Sequence, residues 1–314
     1  MLGRIPNSTP YPNRSIALRP VAESSVGPPN TKPAVPSRLL RRWNLGMACF
    51  HAIFMLTTLA VGNLGLKVEV FTTKTDVMYR VKGETAWREE RPDGAEVDWR
   101  LKPTLSSTDE LYLTYATAGF FLISATFHLL NATLWRAFYE RQLADCRSPT
   151  RWAEYFLSAP LMFVLIAYGL GLRTRTELLT TAALVSATIP YGAWGECEAR
   201  PESSNKWSKS LYSRALPWAL GHVPQTIAWY VVIERFQDMA SNAPAFVTAI
   251  LWGEFFLFYS FGGAVLIGLF LPPSSFWKQE VAFQILSLVS KGVLGILLLA
   301  NVLMLENFDD AFEN

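Results

Sequence analysis

Within the segment SLVSKGVLGILLLA, residues 287–300, one side chain stands out as chemically reactive, the amine of Lys291. It lies about ten residues into an apolar run from Val281 to about Leu305, and at roughly 1.5 Å per residue that depth is near mid-membrane. An ionisable group there is costly and marks a functional site by default, with its partner to be found. Every other lysine falls in a loop or tail. Snorkelling from the centre exceeds the reach of one side chain. Two readings remain: half of a structural ion pair, or an amine that is covalently consumed. The second has a chemical basis, because a buried lysine readily forms a Schiff base with an aldehyde.

A protonated Schiff base needs a counterion. Glu154, in RWAEYFLSAPLM, is the best candidate, with Ser158, Leu161 and Met162 on its helical face. It reaches the depth of Lys291 only if its helix starts near Ser148; otherwise it is a boundary carboxylate pairing with Arg151. Two histidines lie inside apolar runs, His51 one turn from Ala48 and Met55, and His128 on a face with Ser124 and Asn131. Each alone reads as a hydrogen-bonded core residue; converging near a buried charge they become proton carriers. His222, between Gly221 and Pro224, reads as packing. Glu196, Glu234 and Glu254 are further acids at or inside helix ends, and Glu254, with Phe258 on its face, is the deepest. A buried carboxyl there suits proton passage.

The elements that must position these groups are membrane helices. Apolar residues make up 51% of the chain and charged residues only 17%, against about a quarter in soluble domains. Seven apolar runs approach the roughly 20 residues that cross a bilayer: about Trp43–Leu66, Leu111–Trp135, Trp152–Leu172, Leu178–Glu196, Leu216–Glu234, Ala243–Leu271 and Val281–Leu305. The fourth and fifth are weakest, interrupted by Pro190, Pro217 and Pro224. The expected fold is an all-α seven-transmembrane-helix bundle over residues 38–305. A disordered Pro-rich tail (1–37) precedes it and an acidic tail (306–314) follows.

Seven spans put the termini on opposite sides. The short connections Arg136–Arg151 and Arg200–Arg214 carry four basic residues each, and RLLRRW precedes the first span, whereas ENFDDAFEN has no basic residue. Short-loop Lys/Arg bias therefore predicts a cytoplasmic N-terminus and an extracellular C-terminus. The long extracellular loop 67–110 holds LKVEVF and DVMYRVKG, which suit short strands; a hairpin, packing against a neighbouring subunit, and a solvated loop are both open. Cys49, Cys146 and Cys197 show neither disulfide nor zinc spacing. A net charge of +2 carries no implication of nucleic-acid binding. Asn7, Asn13 and Asn131 begin weak glycosylation matches.

Seven spans with a mid-span lysine in the last resemble microbial-type rhodopsins. RWAEYFLSAPLM, SLVSK, the inverted orientation and the long first external loop are similar to heliorhodopsins in particular. The resemblance implies that Lys291 holds all-trans retinal as a protonated Schiff base with Glu154 as counterion and Ser287 tuning that region. It implies that Tyr155, Met162, Ile189 and Gly192 line the chromophore with Ser158, and that Phe256 occupies a position where classical relatives have tryptophan. His51 and His128 match a cytoplasm-facing polar cluster for internal proton transfer, and a homodimer fits the family. The chain departs from the pattern at Pro160, in its long tail, and in its surplus glutamates Glu196, Glu234 and Glu254.

Two functions follow. The first is a light sensor with a slow photocycle, signalling to a partner the sequence does not identify. The second is a light-gated proton or cation channel lined by Glu196 and Glu254, a reading that viral members of such families make concrete. A receptor or enzyme without retinal leaves Lys291 unexplained.

Overall fold

The computed structural model describes residues 35–198, 201–203, 206–207 and 210–312. The Pro-rich tail and the Asn7 and Asn13 matches lie outside those residues, apart from the last positions of the tail.

The helices are α1 (Ser37–Val61), α2 (Leu113–Ala132), α3 (Arg136–Ala144), α4 (Pro149–Gly169), α5 (Arg175–Glu198), α6 (Leu211–Gln237), α7 (Ala245–Gly268) and α8 (Phe276–Leu298). All but α3 are 20 residues or longer. α8 runs on into a π-helical turn, Leu299–Leu303. The seven long helices pack in chain order into a closed ring, α1 on α2, α2 on α4, and so on to α8, which returns to α1. α4 also touches α7 across the ring. Successive long helices are neighbours in space even where the connection is long, as between α1 and α2, which the 62–112 segment joins.

Five of these helices are long and apolar enough to cross a membrane: α1, α2, α4, α7 and the α8 region Pro273–Leu303. α5 and α6 fall short because polar residues and prolines dilute them, among them Arg175 and Glu177 in α5 and Arg214, Gln225 and Glu234 in α6. The apolar excess faces outward: Ile53, Leu56, Phe256 and Phe270 are all more than half exposed. A soluble bundle would bury such residues; lipid accepts them.

Local signals set the helix starts. Pro149 occupies the first turn of α4, where its missing N–H costs nothing. Ser210 caps α6, its hydroxyl accepting from the Ser213 amide at 3.2 Å. At the opposite end of α1, the Asn63 amide donates to Leu303 O at 2.6 Å, tying the exit of α1 to the exit of α8.

The 67–110 loop is a hairpin far longer than its short strand signals. β1 (Lys67–Val81) pairs antiparallel with β2 (Val97–Tyr112), from Lys67 opposite Tyr112 to Val81 opposite Val97, with an irregularity at Val70/Phe71. There the Phe71 amide turns to Arg173 O at 3.0 Å and joins the hairpin to the α4–α5 connection. Two short strands, β3 (Pro201–Ser203) and β4 (Lys206–Trp207), pair before α6.

Candidate functional site

The ring encloses a mainly apolar cavity of about 850 Å³, its open mouth included, walled by α4, α5, α6, α7 and α8. Lys291 opens into it from α8 with its side chain 4% exposed. Its ammonium donates to Ser287 Oγ at 2.7 Å and to Glu154 Oε1 at 3.3 Å. Ser287 is one helical turn before Lys291, so the helix itself sets that contact. Glu154 Oε1 also accepts from Ser124 Oγ of α2 at 2.7 Å. The start of α4 at Pro149 gives Glu154 the depth it needs, and Arg151 turns elsewhere. Tyr155 lies beneath the amine, its ring centroid 5.2 Å from Nζ, anchored by donation from its hydroxyl to Phe283 O at 3.0 Å.

Behind the carboxylate, His128 and His51 converge. Their rings stack at 5.7 Å and 8° between planes, and His128 Nε2 is 3.8 Å from Glu154 Oε2. His128 Nδ1 pairs with Asn44 Oδ1 at 2.8 Å. His51 is fully buried and neither ring nitrogen has a hydrogen-bond partner among the described residues. Two buried, mutually stacked imidazoles therefore lie directly behind the carboxylate.

The polar network continues toward the α3 end. Gln284 Nε2 donates to Tyr139 OH at 3.1 Å, and Tyr139 OH donates to Glu280 Oε1 at 3.0 Å. Arg151 is clamped between Glu280 and Glu196, and Glu196 also accepts from the Ser148 amide at 2.8 Å. All three charged groups are buried. Burial and the neighbouring Glu280 carboxylate push the Tyr139 phenol well above its usual range. Glu196 thus sits in an ion-pair cluster rather than on the cavity wall. Asn44, Tyr139, Gln284 and Glu280 were not singled out from the sequence, whereas Ser124 was noted only for sharing a face with His128. Glu280 immediately precedes the seventh apolar run at Val281, and counting one turn back from that run would have found it.

Tyr155, Ser158, Met162, Ile189, Gly192 and Ser287 all line the cavity. A Cβ on Gly192 would come within 2.2 Å of the Trp152 ring, so glycine is what lets that indole lie against the α5 backbone and form a wall. Phe256 requires correction. It is 64% exposed on the outer face, because two residues from Glu254 is roughly 200° around a helix. Phe258 and Phe261 take the cavity side of α7. Glu254 is fully buried and accepts from Ser290 Oγ at 2.7 Å, while its Oε1 has no partner among the described residues. His222, read as packing, also lines the cavity.

A closed ring of long helices around a cavity that holds a buried, carboxylate-paired lysine is the design of a microbial rhodopsin. The chain is similar in fold to the crystallographic structure of xanthorhodopsin, described as a light-driven ion pump with dual chromophore. The TM-score is 0.55 at 15% identity, over 86% of this chain and 95% of that one. No curated protein matches the sequence. The heliorhodopsin family matches residues 40–303, and the chain belongs to it. It is a membrane protein that binds retinal and absorbs light. The residues present fit that group: an apolar cavity suits a conjugated hydrocarbon, and the one lysine in its wall faces a carboxylate.

Proposed function

We propose that this protein is a light sensor in which Lys291 carries all-trans retinal as a Schiff base and Glu154 balances the positive charge. The observation that carries the reading is the buried Lys291–Glu154 pair at 3.3 Å in the cavity wall. When bound, retinal supplies visible absorption and a light-driven change of shape. The chain supplies the rest. Glu154 holds the proton on the Lys291 nitrogen, since an opposite charge within about 4–6 Å favours the charged form. Ser287 orients that nitrogen. His128, 3.8 Å from Glu154 and stacked on His51, is placed to take a proton passed through the carboxylate and to return it. The Glu196–Arg151–Glu280 cluster closes the α3 end of the bundle with paired charges, so the proton stays inside the protein. A slow internal proton cycle of this kind has no enzymatic step.

In this reading all seven long helices span the membrane, the N-terminus is cytoplasmic, the C-terminus is extracellular, and the hairpin is the first extracellular loop. The protein works as a homodimer in lipid and signals through a partner still to be found.

One observation favours a second reading, a light-gated proton or cation channel. Glu254 is buried beside Ser290, the residue before Lys291, with one carboxyl oxygen unpartnered among the described residues. A carboxyl there could extend a proton path on the other side of the lysine. Voltage-clamped photocurrent separates the two. The sensor gives a transient charge movement with no sustained current. A sustained current that follows the proton gradient and disappears in E254Q overturns it.

A further inference from the structure

The cavity has a second polar locus, on the wall opposite Lys291. α6 packs on α5 and α7, whereas α8 packs on α7 and α1, so the α6 wall faces α8 across the enclosed space. On α6, Gln225 and His222 line the cavity three residues apart, on one helical face. Gln225 is only 9% exposed, and its amide makes no hydrogen bond with any described residue. His222 Nδ1 lies 2.8 Å from the Trp218 carbonyl oxygen. A carbonyl can only accept, so Nδ1 donates and Nε2 of the neutral ring is left as an acceptor. Trp218 is not a competitor, because its Nε1 already donates to Gly262 O at 2.9 Å. Gly262 belongs to the same arrangement: a Cβ there would meet His222 Nε2 at 2.6 Å.

An apolar ring facing these groups would leave the Gln225 amide buried and unpaired, an arrangement that native interiors avoid. A hydroxyl satisfies both side chains: it donates to His222 Nε2 and accepts from the Gln225 NH2. We infer that the cavity is built for a retinoid hydroxylated on its ring, with Gln225 and His222 reading the hydroxyl and Lys291 taking the aldehyde end. The inference rests on the retinal reading above and narrows its ligand class.

The test is a competition. Retinal-free protein is incubated with equal amounts of all-trans retinal and 3-hydroxyretinal, and the bound retinoid is extracted and identified. One net hydrogen bond corresponds to a preference of about fivefold to tenfold for the hydroxylated form. That preference should fall in Q225L, which loses one of the two contacts and whose fold is checked by its visible band with plain retinal. H222F should lower it as well. Equal uptake of the two retinoids by the unsubstituted protein, or an undiminished preference in Q225L, overturns the inference and leaves the retinal reading standing. Failure of both retinoids to give a visible band removes both together.

Discussion

Glu154 and Lys291 are 137 positions apart and meet at 3.3 Å, Oε1 to Nζ, with each side chain 4% exposed. Both are shielded from bulk solvent, and their polar partners are each other and the hydroxyls of Ser124 and Ser287. The account turns on that pairing.

Glu154→Gln removes the charge and keeps the shape. With no anion beside it, a protonated nitrogen at Lys291 is disfavoured. The substituted protein, loaded with retinal, should lose most of its visible band at neutral pH and regain it on acidification. A spectrophotometric pH titration beside the unsubstituted protein checks this. A visible band unchanged between pH 6 and 9 would show that another group balances the charge.

Arg151→Leu should be severely destabilising, because it leaves Glu196 and Glu280 buried without their cation. Breaking a buried ion pair typically costs about 3–5 kcal/mol, while replacing all members by apolar residues is often near neutral. The single variant should lose its visible band at markedly lower temperature, and R151L/E196L/E280L should recover most of the loss. Thermal bleaching curves of the three proteins decide it.

Gly192→Ala should impair pigment formation several-fold, since its methyl would fall 2.2 Å from the Trp152 ring and drive the indole into the cavity. Gly253→Ala, with nothing within 4 Å of the added carbon, is the control and should bind retinal normally. Equal pigment yield in the two variants would mean that Trp152 moves aside at no cost.

The proposed arrangement of seven spans with a cytoplasmic N-terminus makes a topological prediction. An epitope at the N-terminus should be reached by antibody only after cells are permeabilised, and one at the C-terminus should be stained on intact cells. Staining of both on intact cells would require an even number of spans.

Much of this architecture is legible in the sequence, because apolar runs and helices coincide wherever lipid is the solvent. The edges are less so. α1 starts at Ser37 rather than Trp43, since a basic turn such as RLLRRW extends a helix past its apolar stretch without any hydropathy signal. α3 is only nine residues and polar, and β2 carries Pro103 in a sequence without clean alternation. In a two-stranded ribbon both strands are edges, so a proline that would exclude a central strand is tolerated. At the site, Lys291, Glu154, His51 and His128 could be named because ionisable groups in apolar runs are rare. The pairing of Lys291 with Glu154 is expected too, but the wider polar network around them was not readable. The contact between Gln284 and Tyr139 spans 145 positions, and only the packing of α3 under α8 brings them together. Phe256 shows the opposite failure, since a motif match placed it inward while the helical period turns it to the outside.

The most direct test of the account is the visible spectrum of the protein expressed with all-trans retinal, recorded beside Lys291→Ala. The account predicts a band well to the red of free retinal's near-ultraviolet absorption in the unsubstituted protein and no such band in folded K291A. Equal colour in the two would mean that Lys291 is not the point of attachment, and would reduce its pairing with Glu154 to a structural ion pair.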